Sequence, residues 1–147
     1  MRRFIIFSLV VICLSVFVVP AIAAESQQYF AKEDFITWDR EKVGQDAVGT
    51  LYGKFPFNRS TASPDFIIKE VGWMTLNPGD SVGLHKHTTN EDAFVIISGE
   101  GVFTDSDGKE FKLKPGDVTI ARQGQSHAIK NTGGEPLVFL VVIAGTF

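Results

Sequence analysis

The chain has 147 residues, of which 44% are apolar and 21% are charged, and its formal net charge is −3. This length suits one domain. The acidic balance argues against nucleic-acid binding, which needs a basic surface, and the single cysteine excludes an internal disulfide.

Residues 1–23 have the pattern of a secretory signal peptide. Two arginines are followed by a largely apolar run over residues 4–19 and by the small residues Ala21 and Ala23. The alternative is a membrane anchor, for which the run is short, since a spanning helix needs about 20 residues. Cleavage after Ala23 leaves 124 residues and changes the net charge from −3 to −5, because two arginines and no acids are removed. We expect a periplasmic or secreted protein without a stable membrane anchor.

Residues 24–64 are predicted to form an N-terminal extension. The stretch Lys32–Thr37 is typical of either a short helix or an edge strand. Gly49–Pro64 is rich in Gly, Pro, Asn and Ser, which predicts a loop with a possible short strand near Leu51.

From residue 65 to residue 147, short apolar runs alternate with turn residues, which predicts an all-β sandwich or barrel. Asp105–Gly108 has the composition of a hairpin turn. Phe111 and Leu113 alternate with charged residues, which predicts a strand with one buried face. Trp73 and Met74 are neighbours in a predicted strand, so one of them should face the core.

Three histidines are candidate metal ligands. His85 and His87 are two residues apart, so in a strand their side chains share one face. Glu91 and Asp92 begin the next predicted strand, which we expect to form a hairpin with the strand of the histidines. One of these acids could complete a site with His127, since imidazole and carboxylate bind first-row divalent metals.

Two spaced patterns resemble the conserved motifs of the cupin family. In residues 77–101, Gly79 is followed after five residues by His85-Lys86-His87, and Asp92 is followed after six residues by Gly99. In residues 115–131, glycines, a histidine and an asparagine fall in the register of the second motif, at Gly116, Gly124, His127 and Asn131. The resemblance implies an all-β, cupin-type jelly-roll barrel over residues 65–147.

Two positions depart from the family pattern. The glutamate of the first motif falls on Asp92 when counted back from Gly99, while Glu91 fits a shorter loop. Strand parity favours Asp92, which shares a face with Phe94, whereas Glu91 would point away. The proline of the second motif is replaced by Arg122.

The resemblance implies one divalent metal ion, Mn, Fe, Ni, Co or Zn, held by His85, His87, His127 and Asp92, with Glu91 as the alternative acid. Cupins with this ligand set include dioxygenases, decarboxylases and isomerases that act on small molecules. A non-catalytic module that binds a metal or a small ligand is the alternative. No catalytic residue can be assigned beyond the ligands.

The remaining side chains offer few contacts for a ligand. Arg122 is a candidate for binding a carboxylate substrate through a bidentate pair, although a solvated arginine at a barrel mouth has the same pattern. Glu70, Glu100 and Asp117 have the pattern of turn or surface acids.

The apolar C-terminal segment suggests a way for two copies of the chain to associate. Leu137–Phe147 is an apolar tail that could pair as an edge strand, since an open sheet edge is a template for pairing. We therefore expect a homodimer.

Overall fold

The computed structural model describes residues 28–146, so the predicted signal peptide lies outside the described residues. The described part contains one 3-10 helix, Lys32–Asp34, and eleven β-strands, which confirms the all-β prediction. The strands are β1 (Ile36–Thr37), β2 (Arg40–Glu41), β3 (Thr50–Phe57), β4 (Ile68–Leu76), β5 (Ser81–Lys86), β6 (Asn90–Ser98), β7 (Gly101–Thr104), β8 (Glu110–Leu113), β9 (Val118–Ala121), β10 (Ser126–Asn131) and β11 (Leu137–Gly145). Across residues 28–146, no helix has the length and apolar character needed to cross a membrane.

The strands form two antiparallel sheets that face each other. One sheet has the order β1-β3-β4-β11-β6-β9, with β2 also paired to β3, and the other has the order β5-β10-β7-β8. Strands β4-β11-β6-β9 against β5-β10-β7-β8 make the two halves of a jelly roll, as expected. The β7–β8 pair is the predicted hairpin across Asp105–Gly108.

The core lies between the two sheets, because side chains alternate inward and outward along each strand. In β11, every second residue from Leu137 to Ile143 is buried. The same alternation buries Met74 and leaves Trp73 exposed. The buried apolar cluster comprises Leu51, Phe55, Met74, Leu76, Val82, Phe94, Ile96, Phe103, Leu113, Ile129, Leu137, Phe139, Val141 and Ile143.

The prediction of a loop with a possible short strand near Leu51 was wrong for the first half of residues 49–64, where β3 has eight residues and pairs with β4 between Leu51 and Phe57. Gly53 and Gly72 lie beneath the ring of Phe55, and a Cβ on either would come within 2.5 Å of that ring. Glycine here makes room for a buried aromatic side chain rather than a turn. The larger sheet therefore includes strands that precede residue 65, the position at which the barrel was predicted to begin.

The segment predicted as a short helix or an edge strand contains a piece of each. The 3-10 helix occupies Lys32–Asp34, and β1 then pairs with β3 at the margin of the sheet. Both pieces are short, and none of the three residues of the 3-10 helix is buried.

Two expectations about strand pairing were wrong. β5 and β6 lie in different sheets, so the chain crosses between the sheets over residues 87–89 instead of forming a hairpin. β11 lies between β4 and β6, so the apolar tail is a central strand and offers no free edge for dimerisation. Its apolar composition reflects its position in the middle of the sheet.

Candidate metal centre

Three histidines and one aspartate converge between the two sheets. His85 in β5 and His127 in β10 are paired residues of the four-stranded sheet. His87 follows β5, and its backbone N–H donates to the carbonyl oxygen of Gln125 at 2.9 Å, which holds it beside β10. Asp92 comes from β6 in the facing sheet. The crossing of residues 87–89 between the sheets thus brings the acid to the histidines.

The donor atoms of this cluster have the separations expected for ligands of one ion. His127 Nε2 lies 3.0 Å from His87 Nε2 and 3.1 Å from His85 Nε2. Asp92 Oδ2 lies 3.3 Å from His87 Nε2 and 3.4 Å from His127 Nε2. Ligand bonds of about 2.1 Å that meet at about 90° to 110° place donor atoms about 3.0 to 3.4 Å apart.

Hydrogen bonds at the far side of two rings orient their Nε2 atoms for metal binding. His85 Nδ1 donates to the carbonyl oxygen of Gly83 at 2.9 Å, and His87 Nδ1 donates to Asn90 Oδ1 at 2.5 Å. A neutral imidazole that is protonated on Nδ1 carries its lone pair on Nε2. Such outer hydrogen bonds fix the tautomer and orientation of metal-binding histidines.

The electrostatics of the cluster keep the carboxylate charged. Burial opposes ionisation of Asp92, but the imidazoles of His127 and His87 beside its carboxylate lower its pKa to about 2. Contact with the Asp92 carboxylate raises the pKa of His87, and burial lowers the pKa of His85. The aspartate is therefore an anion at neutral pH, ready to bind a cation.

A buried, unpaired oxygen further supports the fit to a metal ion. Asp92 Oδ1 is buried and has no hydrogen-bond partner among the described residues. A buried carboxylate oxygen without a donor is costly unless a cation or water satisfies it. Three imidazole nitrogens and one carboxylate suit Mn, Fe, Co, Ni or Zn, so these residues fit one divalent ion of this group.

Glu91 and Arg122 lie outside the cluster. Arg122 Nη1 donates to Glu91 Oε2 at 2.8 Å, and the two side chains are 63% and 43% exposed. Glu91 precedes Asp92 in β6 and faces the opposite side, as strand parity requires. The structure thus places Asp92 in the cluster and pairs Glu91 with the arginine that the sequence offered as a substrate ligand. A role of Arg122 in substrate binding stays a prediction.

A cavity of about 280 Å³ adjoins the cluster, and two arginines share its wall. Arg40 from β2 and Arg59 from the loop after β3 line it together with His85, His87 and Asp92. These arginines were missed at the sequence level, because they precede the motif region and belong to no periodic pattern.

Glu70 holds the two arginines in place, and its prediction as a turn or surface acid was wrong. Its side chain is completely buried, with Oε1 3.4 Å from Arg40 Nη2 and Oε2 3.0 Å from Arg59 Nε. In β4, Glu70 shares the inward face with Met74 and Leu76. That parity was the signal in the sequence that could have identified it as buried.

A second cavity, of about 540 Å³, touches the cluster from another side. It lies between β8 and β9 and is lined by apolar and polar side chains, among them Ile120, Gln125 and His127. Phe111, predicted to face the core, is instead exposed on this groove, while Leu113 is buried. β8 and β9 are the terminal strands of their sheets, so the barrel is open here.

Comparison with known proteins identifies related chains. A family model described as the cupin domain matches residues 72–143. An oxalate-binding protein of Thermotoga maritima is 51% identical over 70 residues, which are 48% of this chain and 57% of that protein. A gentisate 1,2-dioxygenase of a Ralstonia species is 34% identical over 73 residues, which are 50% of this chain and 20% of the dioxygenase. These matches span less than two thirds of either relative.

A solved structure extends the match over most of the described fold. The crystal structure of a predicted oxalate decarboxylase from Thermotoga maritima superimposes with a TM-score of 0.69 and 32% identity. The alignment covers 80% of this chain and 98% of that chain. A conserved protein of Klebsiella pneumoniae with a double-stranded β-helix domain, at 24% identity and a TM-score of 0.56, shares the fold.

Proposed function

Because this chain belongs to the cupin superfamily, we propose that it binds one divalent transition-metal ion and uses it to hold a small organic acid. His85, His87, His127 and Asp92 hold the ion. When bound, the ion supplies a Lewis-acid centre with coordination positions left for a small ligand. The protein's own residues fix the ligand atoms and shape the cavity around them.

The observation that carries this proposal is the convergence of four buried or half-buried donor atoms beside a cavity. Three Nε2 atoms and one carboxylate oxygen all lie within 4.8 Å of one another. Two of the rings are oriented by hydrogen bonds to Gly83 and Asn90. Oriented donors beside a cavity are typical of a metal site that receives a ligand.

The dimensions and lining of the cavity support a small anionic ligand. A volume of about 280 Å³ lies just below the range of about 300–1,000 Å³ for sites that bind drug-sized molecules. Arg40 and Arg59 add positive charge to its wall. The relative named as an oxalate-binding protein supports the same class of ligand.

We propose that the site catalyses a reaction on this acid, of the decarboxylase, dioxygenase or isomerase type. The names of relatives support the first two types, since they include a predicted oxalate decarboxylase and a gentisate dioxygenase. A non-catalytic binding protein is the second candidate, and the name of the oxalate-binding relative favours it.

The test starts from untagged protein, because a histidine tag binds the same metals. Calorimetry with a panel of small carboxylates and catechols is performed on the metal-loaded and the chelator-stripped protein. We expect about one metal ion per chain and carboxylate binding only in the loaded form. Equal binding by the stripped protein would contradict the proposal.

The same panel separates an enzyme from a binding protein. We expect carbon dioxide release, oxygen uptake or isomerisation with at least one acid that binds. Binding without any of these reactions would establish the non-catalytic alternative.

We also propose that the chain is exported, with cleavage of residues 1–23, and that it forms a homodimer through a contact other than edge pairing of the central strand β11. The signal-peptide pattern supports export. The mature protein is expected to begin at Ala24, which intact mass spectrometry of protein from the periplasm or medium would reveal. Light scattering is expected to give twice the mass of the mature chain.

A further inference from the structure

We propose that two copies of this chain associate through the outer face of the larger sheet. The outer face is the side of strands β3, β4, β11, β6 and β9 that is turned away from the smaller sheet. This inference rests on the proposed homodimer and assigns its interface, and it is independent of the metal cluster, which lies on the inner side of the same sheet.

The central strand of this face is apolar on both sides. The inward residues of β11 belong to the core, and its outward residues are Val138, Leu140, Val142 and Ala144. An antiparallel sheet with one side in water alternates between apolar and polar residues, whereas a strand that is covered on both sides is a continuous apolar run. The sequence of β11 therefore indicates that its outward side is covered as well.

Neighbouring strands continue this apolar character across the sheet. Leu140 is paired on one flank with Trp73 of β4 and on the other with Val95 of β6, which is paired in turn with Val118 of β9. The next outward row is also apolar and consists of Val71, Val142, Ala93 and Ile120. Two adjacent apolar rows thus run side by side over four strands.

The described residues leave these rows open to solvent. Trp73, Ile97 and Ile120 are 45%, 48% and 48% exposed. Phe35 extends the band at the β4 side, with its ring centre 5.7 Å from that of Trp73. Single exposed apolar residues are ordinary on a protein surface, but a contiguous apolar patch marks a surface that binds a partner.

The mature chain has too little further length to cover the face itself. Phe30 packs against Phe57 at the β3 margin, with ring centres 5.6 Å apart, so the first described residues lie at this margin. After the expected cleavage at Ala23, only residues 24–27 precede the described part, and four residues span at most about 14 Å. Five strands at a spacing of about 4.8 Å extend over about 24 Å. Another molecule is therefore needed to cover the band.

The area of the face matches what a dimer needs. Strands β4, β6 and β11 have nine residues each, β3 has eight and β9 has four. With a rise of about 3.4 Å per residue and the same strand spacing, the face measures about 600 Å². Two such faces would bury about 1,200 Å², which is the lower end of the range for specific, stable interfaces.

The distribution of charge favours a second copy as the partner. The apolar rows carry no charge, whereas Lys54 lies beside Trp73 at one margin and the Glu91–Arg122 pair lies at another. An apolar centre with a polar rim is the usual anatomy of a protein interface. A two-fold interface joins the same patch of both copies, so an uncharged centre meets itself without repulsion. The net charge of −3 makes an anionic membrane a poorer match.

The experiment measures the mass of the mature protein by light scattering and the dissociation constant of its dimer by sedimentation. Leu140→Lys, at the centre of the face, should raise this constant by about 100-fold or more, because each copy would then bury an unpaired charge. Trp73→Lys should also weaken the dimer. Both variants should keep the metal content of the wild type, since the two side chains point away from the metal cluster.

Leu84→Lys is the matched control. Leu84 lies in β5 of the smaller sheet and is 46% exposed, nearly the same as Trp73. Its replacement should leave the dissociation constant within about twofold of wild type, because the added charge stays in water. If Leu140→Lys does not fold, Trp73→Lys carries the test, since a half-exposed position accepts a lysine in the single chain.

The outcomes separate this inference from the proposed function. A wild type that stays monomeric at every concentration would contradict the homodimer and, with it, this inference, while its metal content would test the metal site separately. A wild-type dimer that persists in both Leu140→Lys and Trp73→Lys, or that Leu84→Lys weakens equally, would overturn the inference alone.

Discussion

Two arginine–carboxylate pairs in this protein differ in both distance and burial, and the two differences point in opposite directions. The Arg122–Glu91 pair is the shorter, at 2.8 Å, yet its side chains are 63% and 43% exposed. The Arg40–Glu70 contact is longer, at 3.4 Å, but Glu70 is completely buried and Arg40 only 16% exposed. Because water screens the first pair and is excluded from the second, the longer contact has the larger energetic consequence when one partner is removed.

The difference teaches that exposure decides which ion pair has a structural or functional role. A solvated pair contributes little, because each charge is nearly as stable in water as with its partner. A buried carboxylate must keep its cations, since its unpaired charge is costly. This dependence positions Arg40 and Arg59 beside the metal cavity, while Arg122 stays at the surface.

The largest expected effect comes from removing the buried charge. We expect Glu70→Gln to lower the free energy of unfolding by about 2–4 kcal/mol, because two partly buried guanidinium groups lose their counter-charge. Urea denaturation of the mature protein would measure this change. Glu91→Gln, the same substitution at the exposed pair, is expected to cost less than about 1 kcal/mol. Equal costs for the two variants would show that burial is not the deciding factor.

A second comparison uses neighbouring acids of β6 on opposite faces. Asp92→Asn removes a buried ligand atom and should weaken metal binding by about 100-fold or more, since even outer-shell changes cost about 10- to 100-fold. Glu91→Gln should change metal affinity by less than about twofold, because its carboxylate pairs with Arg122 at the surface. Competition with a chelating dye on untagged protein would measure both. Loss of the metal in Glu91→Gln would reassign the ligand.

Much of the fold and the metal cluster could be predicted from the sequence because the informative signals are local. Short runs with turns predicted the strands, and strand parity placed Asp92 with Phe94 on the inward face. Parity is a property of one strand, so it survives errors in pairing. The expected hairpin between His87 and Asp92 was wrong, yet both residues reach the cluster, because the chain crosses directly between sheets that face each other.

The missed features depend on partners that are distant in sequence. Glu70 finds its cations 30 and 11 residues away, at Arg40 and Arg59, and no local pattern connects these three positions. The eight residues of β3 resembled a loop because Gly49–Pro64 is rich in Gly, Pro, Asn and Ser, whereas Gly53 in fact makes room for the ring of Phe55. The burial of Glu70 depends on its ion pairs with Arg40 and Arg59, and the extended form of β3 depends on its pairing with β4. Neither contact can be read from the residues of one segment alone.

The smallest expected effect concerns the exposed pair itself. A double-mutant cycle of Arg122→Met and Glu91→Gln should give a coupling energy of about 0.2–1 kcal/mol. Salt should reduce that value, since exposed charges are screened. A coupling above about 2 kcal/mol would place this pair among buried ones.

The same Arg122→Met variant tests the substrate role that the sequence suggested. Its guanidinium borders neither cavity that touches the metal cluster, so succinate affinity of the manganese-loaded protein should stay within about twofold of wild type. A tenfold loss would instead mean that Arg122 leaves Glu91 and turns toward the ligand. Arg122 would then be a mobile residue that exchanges Glu91 for an anionic ligand. Burial would no longer distinguish Arg40 and Arg59, which line the cavity, from Arg122 at the surface.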